Sequence, residues 1–125
     1  MTKVKTTQTT GGGLLSAAAI LSAADLPHED VAVPEWGGTV RIRTMMSRER
    51  DEFETWLIAN QGKHQNVRGH LVALCAVGDD GQRLFTIEQA SALGEKSAKA
   101  MDRLFDVAQR LNGMGAADIK ELEKN

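Results

Sequence analysis

Residues able to bind a metal or attack a substrate are few in this chain: Cys75 is the single cysteine, and His28, His64 and His70 are the only histidines. A zinc site needs thiolates and imidazoles that converge from compact spacings, and no such ligand pair occurs among these four. His70 and Cys75 are five residues apart, a separation that points them in different directions on a helix. Each histidine reads as an isolated surface residue and Cys75 as part of the core. A nucleophilic cysteine needs a base and an electropositive pocket, whereas Leu71, Val72, Leu74 and Ala76 around Cys75 predict burial. Asp79-Asp80-Gly81 has a flavour of a calcium loop. With Gly81 at the required glycine, however, Ala76 and Gly78 fall at ligand positions and Ile87 where a bidentate Glu belongs, so a turn is the better reading. Gly11-Gly12-Gly13 lacks the preceding strand and the Gly-Lys-Ser/Thr tail of a phosphate loop and reads as a linker. The expectation is a protein with no catalytic residue, metal ligand or cofactor site.

Two groups of residues read instead as binding surface. Trp36 lies in a glycine-flanked turn, where a large ring is hard to bury completely, and an exposed Trp is a common interface anchor. The alternative is that it folds back over its own hairpin. Arg41, Arg43, Arg48 and Arg50 concentrate positive charge in one short region, but Glu49 and Asp51 are interleaved, the ordinary pattern of a solvated surface. Beside these two groups, Met45, Met46, Met101 and Met114 are flexible, polarizable side chains able to contribute adaptable surface. Of these, Met101 sits in a helical apolar stripe and is assigned to the core. Trp36, Arg41, Arg43, Met45 and Met46 are therefore the candidate partner-binding residues.

Composition points to a soluble single domain with no obvious chemistry. The 125 residues suffice for one core and not for two. Hydrophobic residues at 42% and charged residues at 26% exclude both a disordered tail and a membrane protein. A net charge of -2 provides no excess for phosphates, and 4% aromatics is too few for a base-stacking platform. Neither nucleic acid nor membrane is an expected partner.

The elements that position these residues follow from periodicity. Lys3 and Lys5 precede an uncharged stretch, Gly11 to Ala24, that carries Leu14, Leu15, Ile20 and Leu21 and closes on Ser22-Ala23-Ala24. Two readings stay open: a cleaved secretory signal, or an alanine-rich helix from Leu14 toward Ala24 behind a flexible arm at 1–13. Val31/Val33 and Val40/Ile42 alternate with polar neighbours around Pro34-Glu35-Trp36-Gly37-Gly38, which predicts an antiparallel hairpin. Ser47 is the expected N-cap of a helix whose stripe is Phe53, Trp56 and Leu57 and whose stop is Asn60-Gln61-Gly62. A second helix is expected over 66–77, then the 78–81 turn, then Leu84-Phe85 as an apolar plug. Thr86 and Gln89 form a capping box for a short helix through Leu93. The longest helix is expected over 95–112, buried through Ala98, Met101, Leu104, Phe105, Ala108 and Leu111. A last short helix starts near Gly115. The whole is an α+β domain, predominantly helical, spanning 14–125: an N-terminal helix and β-hairpin followed by about four helices.

The residues from Leu26 to Arg43, with Val33-Pro34-Glu35-Trp36-Gly37-Gly38 at their centre, resemble a block of the tail assembly chaperones of long-tailed bacteriophages. The resemblance continues through 47–54, 71–75, 80–85, 105–113 and 121–125, and so covers roughly residues 20 to 125. Gly115-Ala116-Ala117 departs from the acidic capped start of the family's last helix. The resemblance implies a non-enzymatic protein of the host bacterial cytoplasm that coats the tape measure protein until tube subunits polymerise. It implies weak homo-oligomers, absence from the mature virion, and a longer frameshifted form that recruits the tail tube protein. Glu123-Lys124-Asn125 can be encoded GAA-AAA-AAC, a run on which two tRNAs can slip back one base. The other readings are an exported small helical protein and a structural tail or connector component.

Overall fold

In the computed structural model, residues 13–61, 63 and 66–115 are described. The expected last helix and most of the N-terminal arm lie outside them. The order is α1 (Ala17–Ser22), β1 (His28–Val33), β2 (Gly38–Arg43), α2 (Ser47–Ala59), α3 (Val67–Cys75), β3 (Ala76–Val77), α4 (Ala90–Leu93) and α5 (Ala98–Leu111). This is the expected α+β, predominantly helical class.

The hairpin forms in the register that valine alternation requires: Val31 faces Val40 and Val33 faces Gly38, with His28 opposite Arg43. Val31, Val33 and Ile42 turn toward the core, and Ala32 and Thr39 toward solvent. The turn is a short 3₁₀ segment, Pro34–Trp36, that closes with Gly37 at φ 72° and its N–H donated to the Pro34 carbonyl. A left-handed residue there favours glycine.

Helix α3 is buried on all sides from Gly69 to Cys75. An isolated nine-residue helix could not persist by propensity alone, and α3 owes its stability to being the post around which the rest packs. Helix α5 lays Ala100, Met101, Leu104, Val107 and Ala108 against the core. Phe53 and Leu57 of α2 complete it, and Leu71, Val72, Leu74 and Leu104 are essentially solvent-free.

Several expectations are corrected. The helix at 66–77 stops at Cys75, because Ala76–Val77 leave the helix and pair with Arg41 and Ile42 as a third strand. Ser47 is the first helical residue rather than the cap; Met46 takes the cap position and donates its N–H to Glu49 Oε1 at 2.8 Å. The long helix starts at Ala98, since Ser97 caps it by accepting from the Ala100 N–H at 3.2 Å. Ala98 is exposed, and Val107 takes part in the buried face instead. Leu84 is half exposed, so the apolar plug is Phe85 alone. His70, expected at the surface, is buried. Met114, offered as adaptable surface, is buried as well, whereas Met101 is core as expected. The segment 14–24 is helical only over Ala17–Ser22, capped by Ser16, and buries no residue.

Candidate functional site

The hairpin tip is the best-defined of the candidate surfaces. Proline fixes φ at the start of the 3₁₀ turn and Gly37 reverses the chain, so Glu35 and Trp36 project in set directions. Glu35 reaches α5 and accepts from both arms of Arg103, Nη1 to Oε1 at 2.7 Å and Nη2 to Oε2 at 2.9 Å. This fork holds the Glu35 carboxyl well below the usual range, at about 2. Near the open end of the hairpin a second contact joins β1 to α5, from Arg110 Nη2 to Glu29 at 2.9 Å. The tip is therefore fastened to a rigid helix rather than left to move as a free loop.

Trp36 is half-buried and packs on the edge of the core. With Phe85, Leu93, Ala92, Gln89 and Lys96 it lines a shallow hollow of about 280 Å³ whose walls are almost wholly apolar. Sequence reasoning singled out Trp36 and missed the other wall, which comes from α4 and the segment before it. Only the capping box at Thr86–Gln89, which places α4, hinted at it; Thr86 N–H donates to Gln89 Oε1 at 2.8 Å.

The remaining candidates are occupied internally. Arg41 donates Nε to Asp30 Oδ1 at 2.7 Å and Nη2 to Oδ2 at 3.1 Å across the hairpin. That contact lowers the Asp30 carboxyl below its ordinary value and raises Arg41. Arg43 donates to the Thr44 and Gly81 carbonyls at 3.1 and 3.0 Å, and to Glu49 Oε1 at 3.0 Å. Arg50 pairs with Glu54 one turn along α2. Arg41, Arg43 and Arg50 are thus each matched by a carboxylate, and Arg48 lines the same open hollow as Arg43. Met45 is buried, with its N–H given to Asn112 Oδ1 at 2.8 Å, and is not available at the surface. Met46 is half-buried beside an open, polar hollow that also borders Arg43, Glu49, Arg83 and Glu52. Glu49, which sequence reasoning treated only as first-turn charge, is the centre of this cluster. It is buried, and Arg83 approaches its second oxygen at 3.8 Å.

His70 stacks on Trp56 with ring centroids 4.1 Å apart, and its Nε2 has no hydrogen-bond partner among the described residues. Burial lowers its pKa, and the Arg83 charge adds to the effect. Burial pushes the Cys75 thiol up to about 12, against a weak opposing bond from Asn112 Nδ2 at 3.6 Å. A thiol that holds its proton so firmly is no nucleophile. Among the described residues no group of His, Cys, Asp and Glu could hold a metal ion. Nor is any described helix long and apolar enough to cross a membrane. The Asp79–Gly81 segment is a turn, with Gly81 at φ 78° and its N–H donated to the Gly78 carbonyl.

No protein-family profile and no curated protein matches the chain. Among solved structures, that of the bacteriophage HK97 tail assembly chaperone superposes with a TM-score of 0.54 at 22% identity, covering 77% of this chain and 92% of that one. At that identity the likeness is one of architecture, and this chain shares the fold of that tail assembly chaperone.

Proposed function

We propose that this protein is a non-enzymatic tail assembly chaperone that binds the phage tape measure protein, promotes assembly of the tail tube and is absent from the finished virion. The observation that carries the reading is the fold shared with the HK97 tail assembly chaperone over most of both chains. The Pro34–Gly38 block on which the family resemblance centres forms the clamped hairpin tip beside the apolar hollow. A tape measure protein is long and helical, and an amphipathic helix is recognised by inserting apolar side chains at helical spacing into such a hollow. Trp36 is the anchor of that contact. Arg41 and Arg43 act by holding the hairpin in place, and Met46 borders the neighbouring polar hollow. The site of action is the host cytoplasm, where tails assemble. The chain works there as weak homo-oligomers, with the tube protein engaged by a frameshifted longer form.

Coexpression with the tape measure protein of the same phage tests the reading. The tape measure protein is expected in the soluble fraction with this chain and in the pellet without it, and Trp36→Ala is expected to weaken the rescue. A tape measure protein that stays insoluble in the presence of the folded wild-type chain overturns the proposal, as does recovery of the chain from purified virions.

The exposure of every residue of α1 favours a second reading, in which residues 1–24 are a removed export signal. Intact mass of protein expressed in bacteria separates the two.

A further inference from the structure

Polar contacts converge where α5 ends, and Asn112 is at their centre. Its Oδ1 accepts the Met45 N–H at 2.8 Å, and its Nδ2 donates to the Ala108 carbonyl at 2.8 Å and lies 3.6 Å from Cys75 Sγ. Its main-chain carbonyl accepts from Arg50 Nη1 at 3.3 Å, and the Leu111 carbonyl beside it accepts from Thr44 Oγ1 at 3.4 Å. Thr44 and Met45 are each 67 residues from their partners. Asn112 therefore latches the end of α5 to the turn between β2 and α2.

Gly113 follows it, and this is the one Asn-Gly pair in the chain, since Asn60 precedes Gln61 and Asn66 precedes Val67. Such a pair is chemically labile, because glycine has no side chain to hinder its own nitrogen. That nitrogen attacks the Asn Cγ, the Cγ–Nδ2 bond breaks, ammonia leaves and a five-membered succinimide remains. Water then opens the ring at one carbonyl or the other and yields aspartate or isoaspartate.

The native fold blocks the first step. Ring closure requires the Gly113 nitrogen to eclipse the Asn112 Cβ about the Cα–C bond. Asn112 has ψ 5°, which eclipses that nitrogen with the Asn112 nitrogen instead. The Gly113 N–H is also donated to the Arg110 carbonyl at 3.2 Å. The side-chain amide cannot swing to meet it while both of its ends are bonded. Reaction therefore needs the last turn of α5 to open, and helix ends are where local opening costs least.

We propose that Asn112 is a deamidation site guarded by the fold and that it works as a one-way latch: it reacts only when the end of α5 opens, and the product does not close again. One oxygen of the new carboxylate can still accept the Met45 N–H. The other faces the Ala108 carbonyl, so two acceptors meet where a donor and an acceptor were bonded. Isoaspartate in addition lengthens the main chain by one carbon just before the buried Met114. A copy that has opened for long enough is marked chemically and held apart from those that stayed closed. The inference rests on this junction alone and stands independently of tape measure binding.

The test holds the full chain at mildly alkaline pH with and without urea and follows the peptide carrying Asn112 by mass spectrometry, with chromatography to separate aspartate from isoaspartate. In urea, conversion of amide to acid is expected at Asn112 and not at Asn60 or Asn66. The folded chain is expected to convert more slowly by at least about tenfold. The mixture aged in urea is then refolded and treated briefly with a protease. The amide form is expected among the surviving copies and the acid form among the degraded ones, a comparison that needs no variant to fold. Asn112→Asp, made directly, is expected to lower Tm by several degrees. Equal rates with and without urea would show that the fold guards nothing, and no conversion in urea would show that Asn112 is not a site. Equal protease resistance of the two forms, or an Asn112→Asp chain that melts with the wild type, would show that the latch closes again. Each of these results overturns the proposal.

Discussion

Removal of the Glu49 carboxylate should show how the sheet is tied to α2. Glu49 is 4% exposed and accepts the Met46 N–H at 2.8 Å and Arg43 Nη2 at 3.0 Å, with Arg83 at 3.8 Å. The Arg43 side chain is 13% exposed, so without Glu49 a nearly enclosed guanidinium loses its counter-charge. Breaking a buried pair from one side costs about 3 to 5 kcal/mol. Arg43 keeps its bonds to the Thr44 and Gly81 carbonyls, which places Glu49→Ala at the lower end, about 3 kcal/mol. At about 4 °C per kcal/mol for a domain of this size, the expected fall in Tm is about 12 °C. Glu49→Gln preserves an acceptor for the Met46 N–H, whose bond is worth about 1 kcal/mol. It should therefore cost about 2 kcal/mol, the charge contribution alone. Urea denaturation at neutral pH, followed by circular dichroism and Trp fluorescence, measures both. A Glu49→Ala loss below about 1 kcal/mol would mean that the pair is screened like a surface one, and equal losses for Ala and Gln would remove the capping bond from the account.

His70 and Cys75 provide two further checks. His70 is neutral in the folded chain because burial and the Arg83 charge lower its pKa, so the unfolded chain takes up a proton first as pH falls. Stability should be full above about pH 6.5 and decline below it, and His70→Phe, which preserves the stack on Trp56, should flatten that decline in denaturation series run from neutral to mildly acidic pH. A decline that is unchanged in the variant would assign it to other groups. Cys75 is fully enclosed and its thiol is pushed up to about 12, so a thiol reagent at mildly alkaline pH should leave the native protein unmodified and titrate the thiol only in denaturant. Rapid labelling without denaturant would contradict the burial.

Much of the fold is legible in the residues because local rules and packing agree. Alternating valines around Pro34–Gly38 leave few options but a hairpin, and the stripe of Met101, Leu104 and Ala108 leaves few but a helix with one buried face. Cys75 reads as core from its neighbours alone, and the metal and nucleotide motifs fail on spacing. What periodicity cannot reach depends on partners distant in sequence. Ala76–Val77 are as apolar as the helix before them, and they become a strand only because β2 offers an open edge at Arg41 and Ile42. Met45 and Arg43 look like surface until Asn112 and Gly81, 67 and 38 residues away, take up their polar groups. His70 leaves the surface because Trp56, on another helix, provides a ring to stack on. The Trp36 hollow likewise needs α4 folded back against the hairpin tip, a meeting of segments some fifty residues apart that no local pattern encodes. Sequence decides which segments are strands and helices where one face must be buried; tertiary structure decides which exposed-looking side chains are already spoken for, because that depends on distant groups brought together only by folding.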